Sequence, residues 1–189
     1  MAEVILFFIV LILSASFHEA AHGWAAWRQG DDTAYRLGRL TLNPLAHIDI
    51  MGSLIVPILV YISTGFVFGW AKPVPFNPYA LRDQKYGMAK VAVAGPLSNF
   101  LLAIIFALAY QFLQLEAFTV VVFINLILGI FNLVPIPPLD GSKILFTFLP
   151  YKWIKLRVIL ETYGFFILIF FIFFGFRLIM PLIYWIYSL

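Results

Sequence analysis

The 189-residue chain is 63% hydrophobic and only 11% charged, with a net charge of +3. Soluble domains carry about a quarter charged residues and about half apolar ones, so one water-exposed globule is excluded and the bilayer is the expected solvent. The absence of cysteine rules out disulfides and thiolate ligands, leaving His, Asp and Glu for any metal, and no run of Lys and Arg points to nucleic acid.

The first apolar segment, Val4–Trp27, has about the ~20 residues that a helix needs to cross the hydrocarbon core. It lacks a basic leading region, and a His-Glu pair stands where a signal peptide would be cleaved, so it reads as a retained helix. Gln29–Asp49 follows, with turn signals at Gly30-Asp31-Asp32 and Asn43-Pro44. Within it Thr33–Leu42 alternates in polarity, which predicts short strands at the membrane surface. Ser53–Phe68 is apolar but short, and Pro57 and Gly65 interrupt it. Pro73, Pro75 and Pro78 then enforce irregular backbone. Three further segments are long enough to span: Met88–Leu113, Ala117–Val134 and Val158–Phe176. The tail Leu178–Leu189 holds Pro181 and suits a bent continuation, an interfacial helix or a short extra span. The expected fold is an all-α polytopic membrane protein, a bundle of four to six transmembrane helices.

The chemistry stands in the first segment, at His18-Glu19-Ala20-Ala21-His22. Side chains four apart on a helix project from one face, one turn apart. Both imidazoles can therefore reach one Zn²⁺ at ~2.0–2.1 Å, with the glutamate between them beside the water that zinc activates. Zinc lowers the pKa of that water toward ~7; Glu19 takes its proton and passes it to the leaving amine. A charge deep in a spanning helix costs about 2.5–3.5 kcal/mol on insertion scales, which makes such residues functional by default. The chain has three histidines, and two of them are in this run.

A catalytic zinc usually has three protein ligands and an open position. The best third candidate is Asp140, in Asn132-Leu133-Val134-Pro135-Ile136-Pro137-Pro138-Leu139-Asp140-Gly141. The prolines forbid regular helix there, and irregular backbone at membrane depth is tolerated only beside protein or a water-filled cavity. Taken alone, the same residues also suit a Pro-Leu-Asp-Gly turn at a helix exit.

These two motifs, together with Ala94-Gly95-Pro96-Leu97-Ser98-Asn99, resemble the site-2 protease family of intramembrane metalloproteases, over Val4 to about Gly141. Asn43–Asp49 and Gly69–Pro75 resemble segments of its compact bacterial branch. The resemblance implies His18, His22 and Asp140 as zinc ligands and Glu19 as general base. It further implies that Asn132 holds the substrate backbone or the developing oxyanion. Asn99 and His47 are further candidates for contact with substrate, although Asn99 also suits an interhelical hydrogen bond and His47 a bond within its own loop. The substrate is then a membrane-spanning helix of another protein, and the organisation one membrane-embedded domain, 1–189, with a catalytic core of about 4–141 and a C-terminal helical region of about 152–189. Prior trimming of the substrate is a further implication.

If His18, His22 and Asp140 share a metal, the ends of their helices lie at one depth and the helices run parallel. Met88–Leu113 supplies one return crossing, so Ser53–Phe68 is expected to dip in and return. The loops at 28–50, 70–90 and 140–157 then share a face and hold Arg28, Arg36, Arg39, Lys72, Arg82, Lys85, Lys90, Lys143, Lys152, Lys155 and Arg157, all the basic residues but Arg177. The positive-inside rule places that face, and the nearby zinc, in a cell membrane's cytoplasmic leaflet. The competing reading is a metal or proton transporter using the same His, Glu and Asp side chains, but the repeated broken helices of such folds are not found. A non-catalytic scaffold would have no need of Glu19.

Overall fold

The computed structural model describes residues 1–55, 58–59, 62 and 72–188. Helix α1 is Ala2–Arg28. Its buried residues include Val10, Ser14, His18, His22 and Ala26, each four positions from the last, while Ile5, Ile9, Ile12, Leu13 and Phe17 are exposed. The polar stripe faces inward and the apolar face outward, the reverse of a soluble amphipathic helix and the arrangement that lipid demands.

Thr33–Leu42 forms no strand. Thr33–Arg36 is a single helical turn, α2. The side chain of Asp31, 2% exposed, overrides the alternating pattern: its Oδ1 accepts from the Thr33 amide at 3.0 Å and the Thr33 hydroxyl at 2.5 Å. Its Oδ2 accepts from the Asn77 amide at 2.6 Å, tying this turn to the proline-rich segment. A 3-10 turn follows at Pro44–His47, capped by Asn43, then a π-helical turn at Ile50–Ile55. Most of Ser53–Phe68, and with it the re-entrant expectation, lies outside the described residues, as do Gly69, Trp70 and Ala71.

Helix α3, Gly87–Leu113, is the centre of the bundle. It buries Gly87, Ala89, Ala92, Gly95 and Ala103, small residues that let neighbouring helix backbones approach. One third (33%) of its most apolar window is buried, against 11% for the window in Tyr151–Gly175, which is therefore peripheral. Helix α4 is Glu116–Asn132; it stops where Pro135 and its neighbours remove backbone donors. Helix α5, Asp140–Phe148, leads to α6, Ile154–Phe170. A π-helical turn at Phe171–Gly175 connects α6 to α7, Phe176–Tyr187, so the tail continues α6 with an interruption. Ile183 of α7 is fully buried in a cluster with Ala103, Val122 and Leu126, which attaches the tail to α3 and α4.

Side-chain pairs fix the relative directions. His18 meets Asn99, and His22 meets Val91, so α1 and α3 run antiparallel. Ser14 meets Asn125, and His18 and His22 meet Asp140 beyond the end of α4, so α1 and α4 run parallel. Among the described residues three helices are long and apolar enough to cross a membrane, Glu3–Arg28, Gly87–Leu113 and Tyr151–Gly175, while Glu116–Asn132 and Arg177–Tyr187 are shorter and apolar. Among the described residues the fold is wholly helical, as expected, without the surface strands.

Candidate metal centre

His18 Nε2, His22 Nε2 and Asp140 Oδ2 form a triangle with all three sides 3.0 Å. All three residues are buried, with the imidazoles edge to face at 4.6 Å between ring centres. The helical period of α1 stacks the two histidines. Asp140 is brought to them by a tight return of the chain after α4, and Gly141 permits that return: a Cβ there would sit 2.1 Å from the Leu133 carbonyl oxygen. The return contains a cis Pro137–Pro138 peptide bond.

The protons in this cluster can be assigned from its surroundings. His22 Nδ1 lies 2.7 Å from the Val91 carbonyl oxygen, which can only accept, so Nδ1 carries the hydrogen. In neutral His22 the Nε2 lone pair then points at the cluster. His18 Nδ1 lies 2.6 Å from Asn99 Oδ1, which leaves His18 Nε2 in the same state. Two nitrogen lone pairs and a carboxylate oxygen thus converge with no hydrogen to share, an arrangement that a cation satisfies. Two imidazoles and one carboxylate are also a donor set suited to zinc, with an outer partner on each ring as metal-bound histidines usually have.

Gly95 closes the cluster from α3. A Cβ there would sit 2.5 Å from the Nε2 atoms of both histidines. Next to it, Pro96 removes the N–H that would bond the Ala92 carbonyl, in the same turn as the Val91 carbonyl that receives His22. Lys143, one turn along α5, donates to Asp140 Oδ1 at 2.8 Å, leaving Oδ2 for the cluster.

Glu19 lies beside the cluster, half-buried, and its Oε2 accepts the Val74 amide at 2.7 Å. Val74 stands between Pro73 and Pro75, so it has the single N–H of that tripeptide. This segment is tied down by the Lys72 amide, which donates to the His47 carbonyl at 2.8 Å, and by Arg39, which donates to the Lys72 carbonyl at 3.0 Å.

The remaining sequence candidates are placed differently. Asn99 is fully buried, with its Oδ1 2.6 Å from His18 Nδ1. His47 does not join the cluster: its Nε2 donates to the Thr41 carbonyl at 2.8 Å inside its own loop. Asn132 donates to the Leu128 carbonyl at 2.9 Å, one turn back on α4. Sequence reasoning missed Ser14, Asn125, Gly95, Val74 and Lys143. Ser14 and Asn125 did leave a signal, as polar residues within spanning-type apolar helices, where a hydrogen-bonding partner is expected.

Apolar helices enclosing a buried cluster of two histidines and an aspartate define a class, the polytopic membrane proteins built around a metal-binding site. The family model described as Peptidase family M50 matches residues 110–174, which include the Asn132–Gly141 motif but not the histidine pair. Similarity to curated proteins extends further. The chain is 38% identical over 171 residues to the Bacillus subtilis protein named "Putative zinc metalloprotease YwhC", covering 83% of this chain and 75% of that one. It is 31% identical over 137 residues to a protein of the same description, Rip2 of Mycolicibacterium smegmatis, covering 69% and 52%. To the zinc metalloprotease MJ0392 of Methanocaldococcus jannaschii it is 25% identical over 151 residues, covering 77% and 35%. No solved structure matches. The chain belongs to peptidase family M50, the site-2 proteases. It is an intramembrane zinc metalloprotease, and the transporter reading falls away.

Proposed function

We propose that His18, His22 and Asp140 are the zinc ligands, that Glu19 is the general base, and that the substrate is a membrane-spanning helix of another protein. The observation that carries this reading is the convergence of two imidazole lone pairs and one carboxylate oxygen, 3.0 Å apart, beside a glutamate on the same helical turn. Zinc, when bound, supplies Lewis-acid polarisation of water and of the scissile carbonyl. Glu19 accepts the proton of the attacking water and returns it to the departing amine. The Val74 N–H orients its carboxylate. Lys143, by donating to Asp140 Oδ1, leaves Oδ2 turned toward the histidines.

A transmembrane helix hides its carbonyls in its own hydrogen bonds, so a few residues must unwind before attack. The irregular backbone of 133–139 lies next to the cluster; its N–H groups are taken up by its own turns, and it offers carbonyl oxygens to such a strand. Asn132, at its start, reaches substrate by exchanging its bond to the Leu128 carbonyl for one to the unwound backbone. Residues 4–141 are the catalytic core, and 152–189 support it through Ile183. The parallel run of α1 and α4, with the basic loops near the cluster, supports an active site toward the cytoplasmic face.

In proteoliposomes carrying a single-span substrate, a chelator abolishes cleavage and added Zn²⁺ restores it. Cleavage that persists in zinc-free enzyme, or a zinc-loaded enzyme that cuts soluble peptides but no single-span protein, contradicts the proposal. Because the chain lacks cysteine, a single cysteine placed at Lys85 or Glu116 reports topology. Labelling of Lys85→Cys from outside the cell would overturn the cytoplasmic assignment.

A further inference from the structure

We propose that Asn125 is a positioning residue that acts through Asn99 to set the tautomer and ring orientation of His18. The inference rests on the reading of His18 as a zinc ligand. It begins at a group whose role is fixed, the Val121 carbonyl, which can only accept. Asn125 Nδ2 lies 2.9 Å from that oxygen and 2.9 Å from Ser14 Oγ, so both of its hydrogens are committed and its Oδ1 must accept. That oxygen receives Asn99 Nδ2 at 2.8 Å. The other side of the same nitrogen faces the Ser14 carbonyl at 3.5 Å. Asn99 is therefore oriented with Oδ1 toward His18 Nδ1, 2.6 Å away, and the hydrogen must be on Nδ1. His18 Nε2 is left as a lone pair facing Asp140 and His22.

The relay has one direction only. Turning over the Asn125 amide would set an NH₂ against the Asn99 NH₂ and an oxygen against the Val121 carbonyl. Asn99 and Asn125 are both 0% exposed, so water cannot repair a broken link. The two histidines thus differ in what anchors them. His22 is held by a backbone carbonyl that no substitution removes, whereas His18 depends on side chains from α3 and α4. Asn125 never touches the metal cluster, yet it carries the orientation of α4 into α1.

Asn125→Leu keeps similar volume and removes the acceptor for Asn99. In the detergent-purified protein, zinc affinity measured by chelator competition is expected to fall by about 10-fold, the low end of the 10- to 100-fold loss usual when a ligand's direct outer partner, here Asn99, is removed. The absorption spectrum of the Co²⁺-substituted variant is expected to change as well. Asn125→Asp retains an oxygen toward Asn99 and is expected to fall between the two. A residue that merely packs would lower the melting temperature while leaving zinc affinity and the cobalt spectrum at wild-type values, and that result overturns the proposal. A second measurement stands even if Asn125→Leu does not fold. In the zinc-free wild type, ¹⁵N histidine NMR is expected to show His18 as the Nδ1–H tautomer, and the Nε2–H tautomer overturns the relay. Failure of the wild type to bind zinc would instead sink the ligand assignment on which the proposal rests.

Discussion

The proposed metal side and the proposed base side of the site are held by different kinds of contact. On the metal side, every polar atom is anchored to a helix: His22 to the Val91 carbonyl, and His18 to Asn99 and through it to Asn125 and Ser14. On the base side, Glu19 is held by one amide of an extended segment, Val74, which is itself tied to loops through His47 and Arg39. A metal site loses affinity when its ligands shift by fractions of an ångström, so buried bonds between helices suit it. On the proposed function a base must meet a substrate unwound into an extended strand, and a loop boundary suits that. Rigidity and access are divided between the two flanks of one helical turn.

Three substitutions sharpen that division. The largest effect is expected for Gly95→Ala, whose new Cβ would stand 2.5 Å from both histidine Nε2 atoms. Alanine favours helix over glycine by about 1 kcal/mol, so α3 itself is not weakened. Zinc content should fall far below one ion per chain while the helical circular dichroism persists; normal zinc content would show that the metal side tolerates displacement. An intermediate effect is expected for Val74→Pro, which removes the N–H given to Glu19. A hydrogen bond to a charged group contributes about 1.5–3 kcal/mol, so kcat/KM should fall on the order of tenfold or more. Zinc content should stay unchanged, and loss of zinc would show that the two flanks are coupled.

The smallest effect concerns Asp83, outside the spanning segments at the start of α3. Its bond to Lys90 at 2.6 Å and its acceptance of the Tyr86 amide at 2.8 Å hold its carboxyl below the usual carboxylate range. A pKa depressed in the folded state gives stability that is present above the unfolded value of about 3.9 and lost as pH falls through the folded value. Asp83→Asn should lower the melting temperature slightly at neutral pH, and the difference should vanish in that acidic window. A difference that persists at low pH would assign the effect to packing.

What was legible in the sequence follows the same division. The His18–His22 run and Asp140 are readable because ionisable side chains in apolar segments are costly, and their residue types are those of zinc ligands. The main helices are readable from length and apolarity. Thr33–Leu42 is misleading because one buried carboxylate, Asp31, takes the Thr33 amide into a turn and ties that turn to the distant Asn77 amide. Asn125 was visible as a polar residue in an apolar helix, but nothing in its spacing says that it reaches Asn99 across α3. Val74 was harder still, since it acts through a backbone N–H that nearly every residue has. Its proline neighbours are the only mark that this N–H stands alone.

In the proposed site, zinc binding by His18 and His22 and proton transfer by Glu19 are divided among side chains of one helical turn. Glu19→Gln tests it most directly, with zinc content and cleavage of a single-span substrate measured on the same preparation. Wild-type zinc content with no detectable turnover is expected. Wild-type turnover in the variant, or loss of its zinc, would contradict it.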